Sequence, residues 1–299
     1  MKKLIFSIAI YLLFLLTVFS CQPTKTESAP PPLIGQTEAD KLEAEKLAET
    51  TETNHGLVMD MFLGKPSKQI RSIGILVYDG VNDLDFMGPK YVLSSIMGAK
   101  TQLIALQSGN FTTVKGMKVV PDTVIDSVDQ LDILVIPGGF VGTITAAYDE
   151  KLLDWIRQID QTTTYTTSVC TGGWILGATG LLQGKKATTN WYEREAMLEK
   201  YGATFVDDRY VQDGKYWTSA GVTAGMDMAL AILNDIWGER YTQGIMLDME
   251  YDPAPPIAGG TPNKTGFVAY QMMKMMYDAG AQPLIDSLDK RQATLVTGY

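Results

Sequence analysis

Histidine is almost absent from this sequence of 299 residues: His55 is the only one. One imidazole removes most zinc sites, every Ser-His-Asp or Cys-His triad inside a core, and any histidine-based pH switch. Cysteine is nearly as scarce, with Cys21 and Cys170 the two present, so a disulfide-stapled scaffold is excluded. Positive charge is also in deficit: 25 Lys and Arg against 34 Asp and Glu give a formal charge of −9. No segment concentrates the bases, which excludes nucleic acid as a partner. What is there is ordinary for a globular chain, 45% hydrophobic and 20% charged residues, and it rules out collagen-like or wholly disordered architectures.

The chain opens with Lys2 and Lys3 and runs apolar from Leu4 to Phe19. That is a charged segment followed by a hydrophobic one too short and wrongly flanked for a stable spanning helix, and it predicts a signal peptide over residues 1–20. Val18-Phe19-Ser20-Cys21 resembles the bacterial lipobox. The resemblance implies cleavage before Cys21 and lipidation of that residue, hence an exported lipoprotein of the cell envelope, periplasmic or surface-facing, held on a membrane by several acyl chains. A signal peptide cleaved without lipidation is the alternative. Loss of Lys2 and Lys3 would leave a charge of −11, suited to a domain hanging from a bilayer rather than lying on an anionic one. Residues 21–66 read as a tether: Pro30-Pro31-Pro32 extends it, and Glu38 to Glu52 is charged, Ala-rich and suggestive of a loose helix. His55 falls in this tether, away from any core, and Gly56 to Leu63 is apolar enough to pack as a strap.

From Arg71 onward short apolar runs alternate with helical stretches. Strands are predicted at Ile73–Tyr78, Gln102–Leu106, Asp132–Ile136 and Tyr165–Val169, with two short ones near Tyr210 and Trp217. Helices are predicted at Phe86–Met97, Lys151–Ile159, Gly173–Leu182, Glu193–Tyr201 and Thr223–Ile236, and Val114–Val119 reads as a hairpin excursion. Alternation of this kind argues for an α/β fold with a mostly parallel sheet covered on both faces. Residues 67–262 form the expected α/β domain and 263–299 a helical extension.

Ligands of such sheets bind beyond the carboxyl ends of the strands. Three features sit there: Asp83-Leu84-Asp85, Pro137-Gly138-Gly139 and Cys170-Thr171-Gly172. Ser168-Val169-Cys170-Thr171-Gly172 has the small residues before and after a Cys that a strand-to-helix nucleophile elbow requires. At a helix amino end the thiol is expected to be shifted toward thiolate. A buried structural cysteine is the alternative; an unpaired thiol in an oxidising compartment favours use as a nucleophile. Asp83 and Asp85 offer carboxylates, or else cap the helix that follows. Gly138 and Gly139 offer N–H groups to a developing anion, or else form a plain turn. Met272, Met273, Met275 and Met276 are expected to pack at helical spacing, in the core or a dimer seam, rather than to bind copper.

Leu84-Asp85-Phe86-Met87-Gly88-Pro89, Ile136-Pro137-Gly138-Gly139, Ser168-Val169-Cys170-Thr171-Gly172, Gly180-Leu181-Leu182-Gln183-Gly184 and Ala187-Thr188-Thr189 with Trp191 together resemble the ThiJ/PfpI superfamily. Thr218 to Leu230 and Glu250-Tyr251 with Pro253-Ala254-Pro255-Pro256 are similar to its isonitrile hydratase branch. The resemblance runs from about Arg71 to Pro262 and implies a flavodoxin-like sandwich, a homodimer, a small-molecule substrate, no metal and no organic cofactor. It implies Cys170 as nucleophile, Asp85 as acid and base, and Thr171 as a residue that positions water, with Gly138, Gly139 and Gly172 holding developing charge. Asn190 stands where the family commonly has His, which counts against peptidase and amidotransferase chemistry. Two readings remain beside hydration of an isonitrile: other hydrolytic or glyoxal-type chemistry on the same Cys, and a non-enzymatic envelope sensor that responds to oxidation or a small ligand.

Overall fold

A computed structural model describes residues 37–51 and 64–297. The signal segment, the proposed lipidation site Cys21, His55 and the strap at 56–63 lie outside the described residues. Within the tether, helix α1 (Glu38–Thr51) begins at a reciprocal cap: the Thr37 N–H and hydroxyl donate to the Asp40 carboxylate, and the Asp40 N–H donates to Thr37 Oγ1.

In the main unit, strand β1 (Ser72–Val77) reads SIGILV and is buried almost throughout. Its side chains alternate between two cores: Ile73, Ile75 and Val77 enter one, Leu76 the other. Strand β6 (Ile133–Ile136) splits the same way, Ile133 and Val135 against Leu134 and Ile136. Burial on both faces is why these runs are continuously apolar rather than alternating. Each such side chain removed from water contributes about 1.5–3 kcal/mol.

Helices α2 (Asp83–Leu93), α7 (Ala224–Trp237) and α8 (Glu239–Asp248) cover the first face through Phe86, Val92, Met228, Ile232 and Tyr241. Helices α4 (Glu150–Asp160), α5 (Gly172–Ala178) and α6 (Arg194–Lys200) cover the second through Leu152, Ile156, Ile175 and Leu198. The remaining strands are β2 (Lys100–Ala105), β3 (Phe111–Thr112), β4 (Lys118–Val119), β5 (Thr123–Val124), β7 (Tyr165–Val169), β8 (Lys186–Ala187), β9 (Thr204–Phe205), β10 (Tyr210–Asp213) and β11 (Tyr216–Ser219). The central sheet has the order β10-β11-β7-β6-β1-β2-β5, parallel except for the antiparallel edge pair β10-β11. This is the expected mostly parallel sheet with helices on both faces. Chain order reverses between β1 and β6, whose register Ile73 to Ile133 brings their carboxyl ends together beside that of β7. The hairpin excursion is β3-β4.

Several boundaries differ from expectation. The helix expected at Phe86–Met97 is α2, which starts at Asp83 because Asn82, not Asp83 or Asp85, is the cap, its side chain accepting from the Leu84 N–H. The helix expected at Gly173–Leu182 ends at Ala178. Helices α3 (Phe140–Ala146) and α8 are additions, the first a short helix of about two turns hidden behind Pro-Gly-Gly. Helix α9 (Phe267–Thr297) docks through Ala281 and Ile285 onto Ile144, Trp174, Tyr192 and Met197. The four methionines are not in the core: Met272, Met273, Met275 and Met276 all point away from it and are exposed.

Candidate active site

Cys170 follows β7 directly and takes a left-handed backbone, φ 59°, before α5 begins. For a residue with a Cβ that conformation costs on the order of 1–3 kcal/mol and persists only where neighbours over-determine it. They do: the Cys170 N–H donates to the Ser219 carbonyl at 2.9 Å, and Thr189 Oγ1 donates to the Cys170 carbonyl at 2.7 Å. Gly172 allows a close approach of backbones, since a Cβ there would sit 2.0 Å from the Ile136 carbonyl oxygen. Gly221, in a loop after β11, presses its backbone on the thiol: a Cβ there would lie 2.9 Å from Cys170 Sγ, and its φ of +117° already excludes most side chains.

Asp85 lies in the first turn of α2 and is fully buried. Its Oδ2 faces Gly138, where a Cβ would meet it at 2.8 Å and Thr171 Oγ1 at 2.6 Å. Burial pushes the carboxyl pKa up to about 7; Cys170 and the Gly138 N–H pull it back only in part, and neither makes a well-aligned hydrogen bond to it. The Cys170 thiol is raised as well, by burial first and by the Asp85 charge second, against the N–H of Thr171 and the amide of Asn190. The expectation of a thiol made acidic by a helix end is therefore overturned. Desolvation and a facing carboxylate outweigh the dipole of a seven-residue helix. Burial thus favours the protonated thiol, with the Asp85 carboxyl facing it.

At the Gly138-Gly139 turn the Gly139 N–H donates to Thr171 Oγ1 at 3.1 Å and Gly138 faces Asp85, so the turn is joined to two side chains of the candidate site. Thr171 Oγ1 is joined to Thr143 Oγ1 at 3.0 Å, and Thr143 to Tyr78, whose hydroxyl donates to the Pro137 carbonyl at 2.8 Å. Asn190 takes the position the sequence left uncertain. Its Nδ2 donates to Cys170 Sγ at 3.1 Å, and its orientation is fixed because Oδ1 accepts the Tyr192 N–H at 3.0 Å. Asp83, the other carboxylate, accepts from Thr113 Oγ1 at 2.7 Å and stays with the β3-β4 hairpin.

Residues 71–235 match the model of the DJ-1/PfpI family. The chain belongs to that family. The isonitrile hydratase of Pseudomonas putida is 40% identical over 191 residues, 64% of this chain and 83% of that protein. A crystal structure of a ThiJ/PfpI family protein from Pseudomonas syringae superposes with a TM-score of 0.72 at 33% identity, covering 79% of this chain and 96% of that one. A helix-turn-helix transcriptional regulator of Pseudomonas aeruginosa is 29% identical over 141 residues, 46% of this chain and 41% of that protein. Within the DJ-1/PfpI fold the structure joins Cys170, Asp85, Thr171, Gly138, Gly139 and Gly172 at one place, the carboxyl ends of β1, β6 and β7. Sequence reasoning missed two parts of it. Gly221 lies inside a matching motif with no chemistry of its own to mark it, and Asn190 stands at the family's histidine position with no sequence signal for a contact to a thiol 20 residues earlier.

Proposed function

We propose that the protein hydrates a small isonitrile to an N-formamide through covalent catalysis by Cys170. The observation that carries this is the pairing of a buried thiol with a buried carboxyl whose pKa is raised to about 7, with no histidine beside them among the described residues. The 40% identical hydratase supports the choice of substrate class. Asp85 as carboxylate takes the thiol proton while sulfur attacks the terminal isonitrile carbon, and the same proton passes to that carbon. The product is a thioimidate, Cys170–S–CH=N–R. Asp85, again ionised, then takes a proton from water as the water oxygen adds to the carbon, and the nitrogen is protonated. Cleavage of the C–S bond releases R–NH–CHO and returns the thiol. No redox equivalent is consumed. Intact-mass measurement with an isonitrile should show the adduct on Cys170 in the wild type and its formation greatly slowed in Asp85→Asn; full turnover by Cys170→Ala would overturn the mechanism.

A sensor without turnover is the second reading, favoured by the kinship with a transcriptional regulator. Wild-type protein inert to a panel of isonitriles, with Cys170 reversibly oxidised, would select it. On either reading the lipobox would hang the domain from a membrane through Cys21. Cys21→Ser should then lose acyl labelling and leave the membrane fraction, and undiminished membrane retention without label would refute the anchor. A homodimer would find a face in Leu84, Met87 and Tyr91, an exposed stripe on α2, with Val114 and Met117 of the hairpin that Asp83 ties to it.

A further inference from the structure

Helix α9 lies beyond the residues matched by the family, yet one of its side chains packs against the segments that flank the site. The Tyr277 ring is centred 4.4 Å from Phe140, 5.0 Å from Trp191 and 5.1 Å from Tyr192. Each contact leads to a catalytic group. Phe140 follows Gly139, whose N–H holds Thr171, and Trp191 follows Asn190, whose amide holds Cys170. Tyr277 is thus wedged between the two segments that position the reacting atoms. Gly280, one turn further along α9, makes this possible, because a Cβ there would lie 2.7 Å from Cε1 of Phe140.

The phenols of Tyr148, Tyr165, Tyr192, Tyr216 and Tyr251 each donate to a carboxylate; Tyr277, like Tyr201 and Tyr270, makes no hydrogen bond to a described residue, which leaves its hydroxyl available to a ligand. Burial raises its pKa, and Cys170 and Asp85 act on it in the same direction, so it stays protonated and remains a donor.

We propose that Tyr277 belongs to the catalytic site: its ring, with Phe140 and Trp191, walls the cleft against an apolar R group, and its hydroxyl donates a hydrogen bond to the substrate nitrogen. The second half rests on the isonitrile reading. When water adds to the thioimidate, the C=N electron pair moves onto nitrogen, which takes the proton that Asp85 removed from water. A phenol already hydrogen-bonded there stabilises that developing charge while keeping its own proton. Attack by the thiol, which puts the proton on carbon, draws on the hydroxyl much less. The class of substrate implied is an isonitrile carrying a compact apolar or aromatic group, with no charge at the end that meets the three rings.

Two arms test this. The first needs no substrate: alkylation of Cys170 by iodoacetamide and by a bulky N-aryl maleimide, in wild type and Tyr277→Ala. Removing the ring should accelerate the bulky reagent severalfold relative to the small one, and an unchanged ratio overturns the wall. Tyr277→Leu repeats the comparison if circular dichroism shows that the alanine variant has lost helix. The second arm is Tyr277→Phe, which keeps the ring. Its kcat on an isonitrile should fall about 100-fold, as for loss of one preorganised donor. Adduct formation on Cys170 should continue at the wild-type rate, so that intact mass shows thioimidate accumulating. Wild-type kcat in Tyr277→Phe overturns the role of the hydroxyl. If wild type turns over no isonitrile, the functional reading fails and the hydroxyl assignment with it, while the alkylation ratio still decides the wall.

Discussion

Two buried aspartates mark the two ends of the sheet, and they are treated in opposite ways. Asp160, where α4 leads toward the amino end of β7, is surrounded by donors: Thr166 Oγ1 at 2.6 Å, the Tyr216 hydroxyl at 3.1 Å and the Lys215 ammonium at 3.1 Å. Asp85, at the carboxyl end, has no well-formed hydrogen bond at either oxygen. A carboxylate whose charge is matched stabilises the fold, whereas one stripped of water and left unmatched binds a proton near neutrality. The first is architecture. The second is kept at the expense of stability, since desolvating a charge without a partner is costly, and under the proposed function it carries the proton.

Substituting each aspartate is the strongest way to break that contrast. Asp85→Asn should lower kcat/KM by about 10²- to 10⁴-fold, the usual worth of general acid-base help, and should raise Tm at pH 8 by removing an uncompensated charge. Asp160→Ala should do the reverse, costing on the order of 3 kcal/mol by stranding Lys215, Thr166 and Tyr216, with kcat of the folded fraction unchanged. Thermal melts and kinetics on the same preparations check both. Loss of activity in fully stable Asp160→Ala would erase the distinction.

The pH dependence sharpens it. Asp85 must be ionised to accept the thiol proton, so kcat/KM should rise with pH through about 7 and level off, with no falling limb until the thiol itself ionises at alkaline pH. Stability runs the other way. A folded carboxyl pKa raised from 3.8 to about 7 favours the protonated native state, so this contribution is present below the ordinary carboxylate range and is lost as pH rises through about 7. In Asp85→Asn the decline of Tm between pH 4 and pH 8 should become shallower. A rate profile already flat at pH 5.5 would show that Asp85 is not the base.

Much of the site was legible because strand-to-helix elbows have a demanding local sequence: only small residues fit beside Cys170, where Gly172 meets the Ile136 carbonyl. The continuous apolar runs at Ile73–Val77 and Ile133–Ile136 likewise announce a sheet buried on both faces. The direction of the thiol pKa was not legible, because it depends on a carboxylate 85 residues earlier in the chain and on burial that only the assembled fold creates. Periodicity did not reveal α3 or the placement of Tyr277 either. A seven-residue helix after Pro-Gly-Gly looks like a turn, and α9 mixes apolar and charged residues around its circumference, so its exposed methionines hid the face that docks through Ala281 and Ile285.

Asn190 gives the smallest effect and the finest discrimination. Its amide is satisfied like Asp160 on one side, where Oδ1 accepts the Tyr192 N–H, and faces chemistry like Asp85 on the other, where Nδ2 meets Sγ at 3.1 Å. If that contact only fills space, Asn190→Ala should leave kcat almost unchanged. A hydrogen bond that strengthens as sulfur gains charge is worth about 1.5–3 kcal/mol, so its loss should slow thiol attack about 10- to 100-fold. Asn190→Asp separates charge from shape, because a carboxylate of the same size can still accept from Tyr192 while opposing the thiolate. Cys170 alkylation in that variant should shift to higher pH than in Asn190→Ala. Coincident alkylation profiles for the two variants would mean that Asn190 holds the Trp191 segment in place and leaves the thiol to Asp85 alone.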